Sequence, residues 1–337
     1  MTSAKSARRR IGLYEAEPFG AAKYVYDRPP SPFAMRAFLT GATGFVGTHV
    51  LRELVQSGHH VRCLVRHRGL LEHECIEWVR GDVTKPESLA GLMDGCDAVI
   101  HLVGIIEEHP AQGITFEALH TEATANVIHE ACEAGIRRFV HMSANGARED
   151  GVSRYQITKW QAEQLVRQAE FEHWTILRPS VIFGDPGPNS IEFCTQLARD
   201  LITPYPLLPI FGSGRYRMQP VAVEDVAAAL ARAPELGKAN GQTICAVGPE
   251  AYSYVIIVDR ITQGLGQKPK SKIHVPVMLG RLFVFTLGRL GLIPITPDQF
   301  NMLLDGNTGD ASTFRNTFGL MLKPFTPENL AYLRERA

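Results

Sequence analysis

Near the start of the chain a short apolar run, Ala37-Phe38-Leu39, meets the turn Thr40-Gly41-Ala42-Thr43-Gly44-Phe45-Val46-Gly47, which opens into a helix-like stretch from Phe45 to Gln56. The glycines stand in the spacing G-x-x-G-x-x-G, and each has a separate physical use. Gly41 permits the tight turn, Gly44 lets a bulky anion approach backbone with no Cβ in the way, and Gly47 lets the helix pack closely on the strand. The start of such a helix offers unpaired N–H groups and the positive end of its dipole.

From Met35 onward, short apolar runs alternate with helical ones. Val61 to Val65, Trp78-Val79, Ala98-Val99-Ile100-His101-Leu102, Phe139-Val140-His141-Met142 and Trp174 to Leu177 read as five further strands. Between them, Pro86 opens a short helix that ends by Gly95, Phe116 to Glu133 forms a long one ending at Gly135, and Tyr155 to Ala169 another. Near-continuous apolar strands separated by helices require a parallel sheet covered on both faces. The predicted fold class is α/β, a Rossmann doubly wound parallel sheet with a smaller, mostly helical C-terminal lobe. The dinucleotide-binding domain is expected over 35–184 and a substrate or partner lobe over 185–337. Within that lobe, 219–247 is expected to return to the sheet, with a helix from Asp225 to Ala233 and a strand from Thr243 to Ala246.

Lys+Arg and Asp+Glu both total 35, so no global field draws the chain to nucleic acid. Its six cysteines include no C-x-x-C pair and suit reduced thiols in a cytosol-like compartment. His59, His60, His67 and His73, with Cys63 and Cys75, lack ligand spacing, and no metal is expected. Residues 1–34 carry Arg8-Arg9-Arg10, then Pro29, Pro30 and Pro32, but no apolar core of the kind a secretory signal has. Glu15, Glu17 and Asp27 argue against a mitochondrial presequence, so this stretch reads as a flexible extension. Val277 to Ile293 is strongly apolar, yet three glycines, Arg281 and Arg289 interrupt it, and it is too short to span a bilayer. It reads as a core or lid helix; the alternative is a surface facing a membrane or a membrane complex.

With four further βα units behind it, the glycine turn points to a bound dinucleotide. The end of the second strand discriminates between cofactors. A site for NAD(H) places an acidic residue there for the ribose 2′-hydroxyl, but no Asp or Glu occurs between Glu53 and Glu72. Arg66-His67-Arg68 stands in that place, and a guanidinium pairs well with a 2′-phosphate. NADP(H) is therefore preferred, with Arg66 as its reader and NAD(H) as the alternative.

TGATGFVG, Gly81-Asp82, His101-Leu102-Val103-Gly104, Tyr155-x-x-x-Lys159 and Leu177-Arg178-Pro179-Ser180-Val181-Ile182-Phe183-Gly184 occur in an order that resembles the atypical and extended short-chain dehydrogenase/reductases. Gln219-Pro220-Val221, Glu224-Asp225-Val226 and Thr296-Pro297-Asp298-Gln299 narrow the resemblance to the group of the nucleotide-binding accessory subunit of respiratory complex I and its bacterial relatives. The resemblance covers Met35 to the C-terminus. It implies that Asp82 and Val83 lie by the adenine, that Leu102, Val103 and Gly104 line the cofactor, and that Pro179, Ser180 and Val181 flank the nicotinamide. It also implies that Tyr155 donates or accepts a proton, with Lys159 as its partner and Ser143 nearby.

The chemistry of that trio follows independently. A phenol is a poor base at neutral pH, and a nearby ammonium lowers the cost of its phenolate. Positions i and i+4 share one helix face, so Tyr155 and Lys159 can face the cofactor together, whereas Ser143 could hold the substrate oxygen. The alternative is an ordinary helix with a packed Tyr and a snorkelling Lys. Only 12 positions separate Ser143 from Tyr155, short for a sugar-nucleotide loop of the extended type. Two functions result. One is hydride transfer to or from a small or lipophilic carbonyl or alcohol, in a pocket walled by Asn145, Gly184, Asp185 and the C-terminal lobe. The other is a non-catalytic NADP(H)-binding accessory or assembly subunit of a quinone-linked membrane complex. A cytoplasmic location is expected, with contact at the inner membrane through 277–293 as the open alternative. If Arg66 reads the 2′-phosphate, Arg66→Asp lowers the NADPH/NADH affinity ratio about tenfold or more in calorimetric titrations, and an unchanged ratio refutes the assignment.

Overall fold

The computed structural model describes residues 34–67, 73–188, 190–288 and 295–336. The expected extension falls outside these apart from Ala34, as do Arg68 and the end of the 277–293 segment. Seven strands form one sheet: β1 (Arg36–Thr40), β2 (His60–Val65), β3 (Ile76–Arg80), β4 (Ala98–His101), β5 (Arg138–Met142), β6 (His173–Pro179) and β7 (Gln242–Ala246). Their spatial order is 3-2-1-4-5-6-7 and every pairing is parallel. The sheet is thus the doubly wound Rossmann arrangement, and β7 closes its far edge beside β6.

Side-chain alternation along β1 divides the core in two. Ala37 and Leu39 pack with Val50, Leu51 and Leu54 of α1 (Phe45–Gln56) and with the helix Val223–Arg232. Phe38 faces the other way, with Val127 and Ala131 of α2 (Ala123–Glu133) and Val166 of α3 (Arg154–Gln168). A third cluster, around Phe183, Ile210, Ile257 and Phe325, forms the C-terminal lobe. Strand Leu207–Phe211 of this lobe pairs with Ser271–Val275.

Two segments differ from the reading of the sequence. The long helix expected from Phe116 begins as a π-helical turn, Glu117–Glu122, before α2 takes over. There Thr124 Oγ1 donates to the His120 carbonyl at 2.5 Å, a side-chain bond that competes with the regular ladder. Val277–Phe283 is helical and continues as a π turn, Val284–Gly288, but it is not a core helix. It docks through Gly280, where a Cβ would stand 2.6 Å from Phe211 Cδ1 and 3.0 Å from Phe300 Cζ. That leaves Met278 (84% exposed), Leu279, Leu282, Phe283 and Phe285 facing outward. No helix among the described residues is long and apolar enough to cross a membrane.

Leu39 is fully buried on the central strand. Leu39→Ala is expected to lower stability by about 2–5 kcal/mol in denaturant titrations, and a loss well below that range would mean the site collapses to fill the cavity.

Candidate functional site

Chain crossing from β1 to α1 is governed by close approach. Gly41 has φ +75°, and a Cβ there would lie 3.3 Å from the Leu102 backbone. At Gly47 a Cβ would fall 2.0 Å from the Gly41 carbonyl oxygen, a collision that no side chain survives. Gly44 differs, because a Cβ there would meet only ordinary contact with the protein, 3.4 Å from the Gly41 oxygen. It caps α1 with extended backbone (φ −81°, ψ 173°) and no side-chain cap. The first-turn N–H groups, those of Phe45, Val46 and Gly47, are thus left for an outside acceptor. Exposed Thr43 and Gly44 leave room for one. An uncapped helix start behind a turn that lacks a Cβ at Gly41 and Gly44 fits a dinucleotide diphosphate.

Other cofactor candidates gather along the same C-terminal edge of the sheet. Exposed Arg66 ends β2 beside Asp82. Burial pushes the Asp82 carboxyl up, but hydrogen bonds from Thr84 and the charges of Arg66 and Lys85 hold it below its ordinary value. Val83 is buried beneath, its carbonyl accepting from Asn126 at 2.9 Å. Leu102 N–H donates to Thr40 Oγ1 at 3.3 Å, and Val103 is half-buried next to it. Pro179 ends β6, with its carbonyl accepting from Asn145 N at 2.8 Å, and the Val181 carbonyl accepts from Val221 N at 2.9 Å.

Gly104 and Lys159 meet most closely. A Cβ on Gly104 would stand 2.8 Å from Lys159 Nζ, so the ammonium lies directly against this backbone while donating to the Met142 carbonyl at 3.1 Å. Burial pushes Lys159 down to about 8, against the opposing pull of Glu163. Tyr155, one helical turn before it, is pushed up to about 12 by burial. Its ring stands edge-on to Phe116 and His120, at 5.8 and 5.3 Å between centroids.

Ser143 goes elsewhere. Its hydroxyl donates to Glu163 Oε1 at 2.6 Å. The fully buried Glu163 also accepts from Arg178 through Nε at 2.6 Å and Nη2 at 2.7 Å, and from Arg167 at 2.8 Å. Sequence reasoning missed this carboxylate and His120; the only local signal for Glu163 was its position four residues after Lys159, on the same helix face.

The C-terminal lobe clamps this edge. Asp298 accepts from the Arg154 N–H at the start of α3 at 3.1 Å, and Asp305 takes both Nη atoms of Arg148 at 2.9 and 3.0 Å. Between the lobe and the end of β5 opens a cleft of about 650 Å³, bordered by Asn145, Gly146 and Arg148 on one side and by Tyr216, Gln219 and Asn307 on the other. Asn145 lines it as expected. Gly184 and Asp185 do not, being held by C-terminal residues: Gly184 N–H donates to Tyr332 Oη at 3.2 Å, and Asp185 pairs with Arg336 at 2.9 Å.

Residues 41–199 match a family described as NAD(P)H-binding. The chain is 34% identical over 239 residues to a ceramide reductase of Caulobacter vibrioides, spanning 69% of this chain and 71% of that one. It is 30% identical over 233 residues to the mitochondrial NADH dehydrogenase [ubiquinone] 1 alpha subcomplex subunit 9 of Arabidopsis thaliana, spanning 64% of this chain and 54% of the relative. In fold it is similar to MoeE5, solved in complex with UDP-glucose and NAD, with TM-score 0.67, 21% identity, and 89% and 97% of the two chains covered. Glycine turn, parallel sheet and relatives agree: the chain belongs to the atypical, epimerase-like short-chain dehydrogenase/reductases, which are NAD(P)H-binding oxidoreductases.

Proposed function

We propose that this chain is an NADP(H)-dependent reductase of a small or lipophilic carbonyl. The observation that carries the proposal is the meeting of Lys159 with Gly104 one helical turn from Tyr155, at the sheet edge where the uncapped α1 begins. A bound reduced nicotinamide supplies the hydride. The chain supplies the proton and the charge. A phenol pushed up to about 12 keeps its proton at neutral pH, which suits Tyr155 to donate to a carbonyl oxygen as it gains negative charge. Lys159 is cationic at neutral pH and stabilises the phenolate left behind. Ser143 serves this scheme through Glu163, as a positioning residue, because its proton is already committed there. Arg66, exposed at the end of β2, supports NADP(H) over NAD(H). The ceramide reductase relative supports a lipophilic substrate, whose remainder the cleft beside Asn145 can receive.

A second reading has its own observation. The apolar face from Met278 to Phe285 is exposed, and the chain from Arg260 to Pro297 contains five further Lys or Arg residues and no Asp or Glu. A non-catalytic NADP(H)-binding subunit docked peripherally at a membrane or quinone-linked complex would use such a face, and the relationship to subunit 9 supports it.

Single-turnover oxidation of NADPH against a panel of carbonyls and quinones separates the two. Reduction is expected to slow about 10²-fold or more in Tyr155→Phe. Its rate is expected to fall as pH rises through about 8, where Lys159 loses its proton, and Lys159→Met removes that step. Equal, negligible rates in wild type and Tyr155→Phe overturn the enzymatic reading. Flotation with membranes that Leu282→Ser/Phe283→Ser abolishes would then favour the docked subunit.

A further inference from the structure

One buried group behind the proposed proton donor has no part in the scheme so far. His120 is fully buried on the π turn Glu117–Glu122. Such turns recur at functional sites because they re-aim side chains that a regular helix would place elsewhere. Its ring stacks on Phe116 at 5.3 Å and 24°, and meets the Tyr155 ring edge-on. Nδ1 lies 2.9 Å from Thr158 Oγ1, and Nε2 lies 3.1 Å from both the N and the carbonyl O of Ile105. Thr158 Oγ1 also lies 2.9 Å from the Arg154 carbonyl, so its hydroxyl can accept from the ring or donate to it. With its proton on Nδ1 the ring accepts the Ile105 N–H at Nε2, and with its proton on Nε2 it donates to the Ile105 carbonyl; in either tautomer it ties Thr158 to the Ile105 backbone. Burial first, and then the nearby Lys159, keep the ring neutral.

We infer that His120 is a positioning residue of the proposed hydride-transfer site, pinning the backbone of Ile105 to the helix turn that carries Tyr155 and Lys159. The role rests on the reductase reading for what is positioned, whereas the link itself rests on the bonds just described. Ile105 follows Gly104, whose backbone lies against the Lys159 ammonium. A loop shift of an ångström would change that contact, and misplacement on this scale costs reactivity steeply. Replacing the ring by one without nitrogens leaves the Ile105 backbone without this partner.

The test compares two ligands on the full chain: NADPH, and 2′-phospho-ADP-ribose, which lacks the nicotinamide. His120→Phe keeps the ring volume and removes both bonds. It is expected to weaken NADPH about tenfold while 2′-phospho-ADP-ribose changes less than about twofold, and to speed amide exchange at Ile105. His120→Gln, which can again accept from Ile105, is expected to recover part of the NADPH affinity. Equal losses for both ligands mean a merely structural histidine and overturn the inference, as does unchanged NADPH affinity. A wild-type chain that binds neither ligand instead refutes the cofactor reading, a result visible before any variant is made.

Discussion

Helix α3 is fixed to the sheet by one carboxylate. Glu163, with no solvent exposure, collects Ser143 from the end of β5, Arg178 from β6 and Arg167 from its own helix, and Arg167 in turn reaches Thr243 on β7. An unpaired carboxylate is costly to bury, and here guanidinium forks and a hydroxyl satisfy both oxygens. Removing one partner of such a network costs about 3–5 kcal/mol, because the remaining charge is left uncompensated. Lys159 and Tyr155 lie one and two turns before it on the same helix. Their presentation at the sheet edge follows from this anchor.

The charge of Lys159 then works in neutral surroundings. His101, His120 and His141 are all pushed down by burial, and the proximity of Lys159 pushes each further. They line the site as uncharged rings. A cation held this way is costly, which is why burial holds Lys159 below its usual range. The net neutrality of the whole chain says nothing of this, since the effect lies in one buried position.

The sheet was legible because buried parallel strands are largely apolar, and Ala98 to Leu102 or Phe139 to Met142 can be read as strands without their partners. The turn from Gly41 to Gly47 was legible because its requirements are steric and local. Glu163 was not, since an acidic residue on an amphipathic helix looks solvated until Arg178, fifteen positions on, is brought beside it. Ser143 was read as facing substrate because its strand position allows that, and only the location of Glu163 shows where its hydroxyl points. The π turn at His120 is a local widening of the helix that no periodicity displays. At 277–293, apolarity alone could not tell a core helix from an exposed one; the small contact face at Gly280 decides it.

All of this presupposes a nicotinamide dinucleotide seated against the start of α1. Gly44 gives the cleanest access to that claim, because a side chain there would fill the ligand's space while meeting only ordinary contact inside the protein. Calorimetric titration of NADPH into wild type and Gly44→Val is the most direct measurement. One-to-one association in the wild type that vanishes in a Gly44→Val chain of unchanged melting temperature is expected. No heat of association in the wild type, or equal affinity in both, would contradict it.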